Sequence, residues 1–118
     1  MRYLCLVYLD ERKLDRLSPS ERQALAAEAL DYDDALRRSG QYVVSNALQP
    51  VRTATTVRPG PDKVLVTDGP FAETKEQLGG FILIEAENLD DAIRVASKIP
   101  PARLGCIEIR PVADLHRG

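Results

Sequence analysis

"RYLCLVYL", Arg2–Leu9, is the stretch on which the fold turns. Its β-branched, aromatic and leucine residues, ending at the acidic Asp10-Glu11 turn, read as a strand. Alternate side chains of a strand face opposite sides. Tyr3, Cys5, Val7 and Leu9 therefore share one face, and Leu4, Leu6 and Tyr8 share the other. Both faces are apolar, so both need a cover.

The next segment supplies one cover. In "SPSERQALAAEALDYDDALRRSG", Ser18 is placed as an N-cap, Pro19 as the first helical residue and Glu21 as the partner in a capping box. Leu25, Ala29, Tyr32 and Leu36 recur at helical spacing as one apolar stripe. Arg37 and Arg38 suit the negative end of the helix dipole, and Gly40 is the expected left-handed stop. Gln41–Leu48 reads as a second strand ending at Pro50. "RTATTVR" and "KVLVTD" flank "PGPD" as a β-hairpin. Gly80–Ala86 is a further strand, with Phe81 and Leu83 opposing Ile82 and Ile84. Asn88 caps a second helix with Asp91 at its third position, Pro100-Pro101 ends it, and "GCIEIRPV" is the last strand.

Without the hairpin the order is βαββαβ, the ferredoxin-like arrangement of an α+β fold. Both helices then cover one sheet face and leave the other bare. Leaving an apolar side chain wet forfeits roughly 1.5–3 kcal/mol, and a second copy is the simplest cover. The expectation is a homodimer of a single 118-residue domain.

Composition bounds the function. A net charge of −2 offers no basic footprint for nucleic acid. No apolar run is long enough for a membrane span, and Met1-Arg2 leads directly into strand residues without a signal-peptide pattern; a cytoplasmic location is expected. Cys5 and Cys106 are read as buried, reduced thiols. No Cys/His cluster, phosphate loop or serine triad is present, so neither metal nor cofactor is expected.

At "ATTVR" (Ala54–Arg58), "VTDGPFAETKEQLGGF" (Val66–Phe81) and "IEA", the chain resembles the DGPF branch of the YCII-related family. "YLCLVY", "LDDAIRVASKIP" and "IEIRPV" are similar to that family's start, second helix and end. The resemblance implies a dimeric ferredoxin-like α/β-barrel, and a bacterial cytoplasmic protein whose relatives are encoded near, or fused to, extracytoplasmic-function sigma factors. The wider family's inferred activity rests on a His–Asp pair in the inter-sheet cleft. Here the single histidine, His116, does not match that position, and the first helix offers Asp31, Tyr32, Asp33 and Asp34 instead.

The residues suggest their own site. Asp68 ends a strand before Gly69-Pro70, so a restrained turn positions its carboxylate to act as a general base or to bind an amine or hydroxyl; the alternative is that it accepts backbone hydrogen bonds of its own turn. Phe71 either fills a core or interface pocket or stacks on a ligand. Glu73, Lys75 and Glu76 fit one helical turn. They form either a solvated face or a site in which Lys75 meets a substrate carboxylate. Gly79-Gly80 permits a sharp turn or a close approach. Arg52 and Arg58 are placed to hold an anion or to make rim ion pairs. Glu108 and Arg110 lie opposite Ile107 and Ile109; with the isoleucines toward the helices, the two charges face the cleft and need partners or a ligand.

The expected function is binding of a small polar molecule in the inter-sheet cleft by a homodimer, with Asp68 as the candidate residue should the site carry carboxylate-dependent lyase or isomerase chemistry. The competing reading is a non-catalytic partner-binding module in a sigma-factor-linked circuit.

Overall fold

The computed structural model describes residues 1–115; His116 lies outside them. Strands β1 (Arg2–Leu9), β2 (Tyr42–Ala47), β5 (Gln77–Glu85) and β6 (Gly105–Pro111) form an antiparallel sheet in the order β2-β5-β1-β6. Strands β3 (Thr55–Pro59) and β4 (Val64–Asp68) form a separate two-stranded ribbon. Helices α1 (Glu11–Asp15), α2 (Pro19–Arg38) and α3 (Leu89–Ala96) complete a mixed α+β fold consistent with the ferredoxin-like arrangement.

β1 behaves as its alternation demands. Tyr3, Cys5 and Val7 are buried with Ile82 and Ile84 of β5 beneath Leu36 of α2 and Ala92, Val95 and Ala96 of α3. Each large apolar side chain buried there contributes roughly 1.5–3 kcal/mol. The opposite face has two registered rows across the sheet. One runs Val44, Leu83, Leu4, Arg110; the other runs Asn46, Phe81, Leu6, Glu108. Its leucines and Phe81 are only partly buried.

Local chemistry sets the helix ends. The Glu21 N–H donates to Ser18 Oγ at 3.1 Å, and the Ser18 N–H donates to Glu21 Oε1 at 2.9 Å. Gly40 adopts φ +77° past the C-cap. In α3, the Asp91 N–H donates to Asn88 Oδ1 at 2.9 Å.

Several boundaries differ from expectation. The Asp10-Glu11 turn is the start of α1, because Asp10 Oδ1 accepts the Arg12 N–H at 3.0 Å and caps a five-residue helix. Arg52 lies in a 3₁₀ turn, Val51–Thr53, closed by Thr53 Oγ1 donating to the Pro50 carbonyl at 2.6 Å. Gly79-Gly80 is strand rather than turn: a Cβ at Gly79 would stand 2.6 Å from Leu9 Cδ1, and one at Gly80 2.9 Å from the Asn46 carbonyl oxygen. Close approach explains the pair. Helix α3 stops at Ala96, capped by Ser97, and Pro100-Pro101 opens the 3₁₀ turn Pro100–Leu104. Residues 73–76 are not helical, since Thr74 Oγ1 donates to the Glu76 carbonyl and Gln77 Nε2 to the Thr74 carbonyl, satisfying the bend locally. Cys5 is buried, but Cys106 is exposed in the single chain; both thiols are free, and Cys106 faces away from the helices with Glu108.

The β3–β4 ribbon is an arm. The Gly69 N–H donates to the Ala54 carbonyl at 2.7 Å and closes its base, with Gly69 at φ +97°. Thr55, Val57 and Pro59 pair with Asp68, Val66 and Val64 on one face; Thr56 and Arg58 pair with Thr67 and Leu65 on the other. The chain measures 50 × 49 × 19 Å. A thickness of 19 Å is that of one helix layer on one sheet, so the arm extends sideways rather than forming a third layer.

Candidate functional site

Helix α2 leans over the sheet and leaves a cavity of about 540 Å³ beneath it. Leu25, Ala29 and Tyr32 of α2 form its roof, and Val7, Leu9 and Ile82 lie on its sheet side. The lining is mostly apolar, and one wall carries a hydrogen-bonded polar chain. Ser45 Oγ donates to Asp33 Oδ2 at 2.9 Å, and the Tyr42 hydroxyl lies 2.8 Å from Ser45 Oγ. Arg37 stacks 4.2 Å above the Tyr42 ring and donates to Asp34 Oδ1 at 2.6 Å. These contacts hold Tyr42 and, through it, Ser45. One oxygen of Asp33 is engaged by Ser45, while Oδ1 has no protein partner among the described residues. The Tyr32 hydroxyl is turned away, donating to the Val95 carbonyl at 2.7 Å, and burial raises its phenol above the ordinary value.

Of this pair, Asp33 stands among the acids that the sequence places on the first helix, without a role of its own, and Ser45 is not marked by strand-and-turn reasoning. A signal exists for the first: Asp33 stands four residues after Ala29 and three before Leu36, inside the apolar stripe of α2. For Ser45 the signal appears only in register, where it faces Ile82 on the helix side of the sheet.

The residues singled out from sequence fall into three places. Asp68 and Arg58 are exposed on the arm, on opposite faces of the ribbon and three ladder pairs apart. Asp68 makes no side-chain hydrogen bond among the described residues; the turn is held instead by the Gly69 N–H and by Thr56 Oγ1, which donates to the Gly69 carbonyl at 2.8 Å. Phe71, just beyond, is 80% exposed. Glu73 lines a hollow of about 440 Å³ with Glu11, Arg52, Thr74 and Gln77. Glu11 braces that hollow, accepting the Val51 N–H at 3.0 Å.

The third place is the bare sheet face. Burial, and then the neighbouring Glu108 carboxylate, raise the Tyr8 phenol above its usual value, while Arg110 opposes them. Cys106 is also raised, first by partial desolvation against the strand and then by the Glu76 carboxylate. Thus Glu76, Glu108 and Arg110 gather around Tyr8 and Cys106, as the alternation of β6 requires. Lys75 lies close enough to act on Asp10, the buried carboxylate at the end of β1. Burial pushes that carboxyl up, but hydrogen bonds from Arg12 and the charges of Arg12 and Lys75 outweigh it and hold the group low. Among the described residues no cluster of His, Cys, Asp and Glu is arranged to hold a metal ion, and no helix is long and apolar enough to cross a membrane.

The YCII-related domain matches residues 1–116. The chain belongs to the YCII-related family. A YCII-related chain of this kind has a relative in Rhizobium meliloti (strain 1021), the uncharacterised protein R00369, 35% identical over 115 residues, spanning 96% of this chain and 93% of the relative. Among solved structures, the YCII-related chain is similar to 5-chloro-2-hydroxyhydroquinone dehydrochlorinase (TftG) from Burkholderia phenoliruptrix AC1100, in complex with 2,5-dihydroxybenzoquinone. That likeness has a TM-score of 0.55 at 17% identity and covers 96% of this chain and 94% of the other. At such identity it speaks for a shared fold.

Proposed function

We propose that this YCII-related protein binds a small molecule with an apolar body and a hydrogen-bond donor in the cavity beneath α2, and that Asp33 is its acceptor and general base. The observation that carries this is the half-engaged carboxylate: Asp33 lines a 540 Å³ mostly apolar cavity, its Oδ2 is held by Ser45, and its Oδ1 has no protein partner among the described residues. An anchored carboxylate beside apolar walls can take an acidic proton from a bound C–H or O–H, the first step of an elimination or isomerisation. The similar solved structure is a dehydrochlorinase holding 2,5-dihydroxybenzoquinone, a small ring with hydroxyl donors, and this class suits the cavity. Calorimetric titration with 2,5-dihydroxybenzoquinone and simple phenols is the test. Asp33→Asn removes the acceptor charge and Ala29→Phe fills the cavity, so each should abolish binding. A probe bound equally by wild type and both variants would overturn the assignment.

The same reading includes a homodimer. The rows Val44–Leu83–Leu4 and Phe81–Leu6 make an apolar centre on the bare face, and a second copy packed there would bury it. Glu108 and Arg110 sit at its β6 edge with opposite charges two residues apart, which lets two copies exchange ion pairs about a two-fold axis. Sedimentation at micromolar concentration tests the dimer, and Leu6→Asp should abolish it.

A further inference from the structure

The arm exposes more apolar surface than a free ribbon tolerates. Val57, Val64, Leu65 and Val66 are 56–60% exposed, and Phe71 at its base is 80% exposed. The register places Val57, Val66 and Val64 with Pro59 on one ribbon face. An isolated two-stranded hairpin is marginal in water, and both outer edges of this one carry unpaired backbone groups.

The size of the exposed surface fits a second copy as the occupant. The chain has 8480 Å² of accessible surface, whereas a compact monomer of 13.1 kDa has roughly 6,400 Å². The excess, about 2,100 Å² from those two figures, matches one subunit's share of an obligate homodimer interface. The Cα radius of gyration agrees: 16.4 Å against about 13.5 Å for a compact chain of this length. A net charge of −2 sets little repulsion between copies.

We infer that the β3–β4 arm docks on a second copy of this chain, laying Val57, Val64, Val66 and Phe71 against the partner in addition to the contact between bare sheet faces. The inference rests on the homodimer proposed above. The arm then serves as a clasp: its ladder forms within one chain, and its apolar face is covered by the other.

The test separates arm from sheet. Val57→Thr/Val64→Thr/Val66→Thr keeps side-chain shape and strand propensity while making the ribbon face polar, and Phe71→Ala removes the anchor. Sedimentation and hydrogen exchange are measured on wild type, both arm variants and Leu6→Asp. The expected result is a wild-type dimer whose Kd rises at least roughly tenfold in each arm variant, with amides of residues 55–68 protected only in the dimer. A wild-type dimer whose Kd is unchanged in the arm variants overturns the clasp and leaves the sheet-face dimer standing. A wild-type monomer at tens of micromolar overturns both.

Discussion

Ser45→Ala isolates the polar chain beside the cavity. Ser45 Oγ is its node, donating to Asp33 Oδ2 at 2.9 Å and meeting the Tyr42 hydroxyl at 2.8 Å. A net hydrogen bond contributes about 0.5–1.5 kcal/mol and one to a charged group about 1.5–3. Because Ser45, Asp33 and Tyr42 are all half-buried, the low end of each range applies, giving about 2 kcal/mol for the substitution. A chain of 118 residues has an unfolding entropy near 0.25 kcal/mol/K at its midpoint, so Tm should fall by about 8 °C. Tyr42→Phe removes only the outer hydroxyl and should lower Tm by about 2–4 °C. Calorimetric melts of Ser45→Ala, Asp33→Ala and the double variant form a cycle whose expected coupling is about 1 kcal/mol. Additivity within about 0.3 kcal/mol would show that Ser45 does not hold Asp33, and the reasoning that makes Asp33 a positioned base would fail with it.

Three further outcomes follow from other parts of the molecule. A Cβ at Gly105 would lie against the Tyr8 carbonyl oxygen, which is backbone and cannot swing away; Gly105→Ala should therefore cost more than about 3 kcal/mol in urea unfolding, and a loss under about 1 kcal/mol would contradict the β1–β6 spacing. Asp91 is held low by the Glu87 backbone N–H, then by Arg94 and Gln41. Because its folded value lies below the unfolded one, its stabilisation is present above the ordinary carboxyl range and lost as pH falls through the folded value. The stability gap between wild type and Asp91→Asn should thus close as pH falls through and below the ordinary carboxyl range; a gap that persists at the acid end argues against this role. Burial pushes the Cys5 thiol up to about 11, whereas Cys106 is exposed in the single chain on the face that a second copy would cover, so in the monomeric Leu6→Asp variant iodoacetamide at pH 8 should label Cys106 well ahead of Cys5. Simultaneous labelling would contradict the strand assignment.

The parts of the fold legible in sequence are those whose chemistry is local. Ser18 and Glu21 sit three residues apart and satisfy each other, so the start of α2 can be read without any tertiary contact. The alternation of β1 likewise foretells which of its residues meet the helices. Helix α1 is too short to show a period, and only its cap, Asp10, distinguishes it from a turn. The glycines at 79 and 80 are ambiguous because their reason lies in Leu9 and Asn46, distant in sequence. The cavity shows the same division. Asp33 breaks an apolar stripe visibly, but its partner Ser45 is reached only once β2 is registered on β5. The density of constrained and charged residues from Val66 to Phe81 is plain in the sequence. It could not show that Asp68 sits on an arm while Glu76 lies beside β6.

The closure at the arm's base has a consequence for engineering. Ala54 and Gly69 are joined by a single backbone hydrogen bond of 2.7 Å, so the two points where the chain leaves and re-enters the body are adjacent. From the body's side the residues between them are a closed detour, and the main sheet draws no strand from it. A ribbon of another length, or one taken from a relative, can be grafted at this junction without re-registering any strand of the four-stranded sheet. The junction is therefore a point at which the ribbon, and with it the clasp, can be exchanged while the four-stranded sheet keeps its pairing.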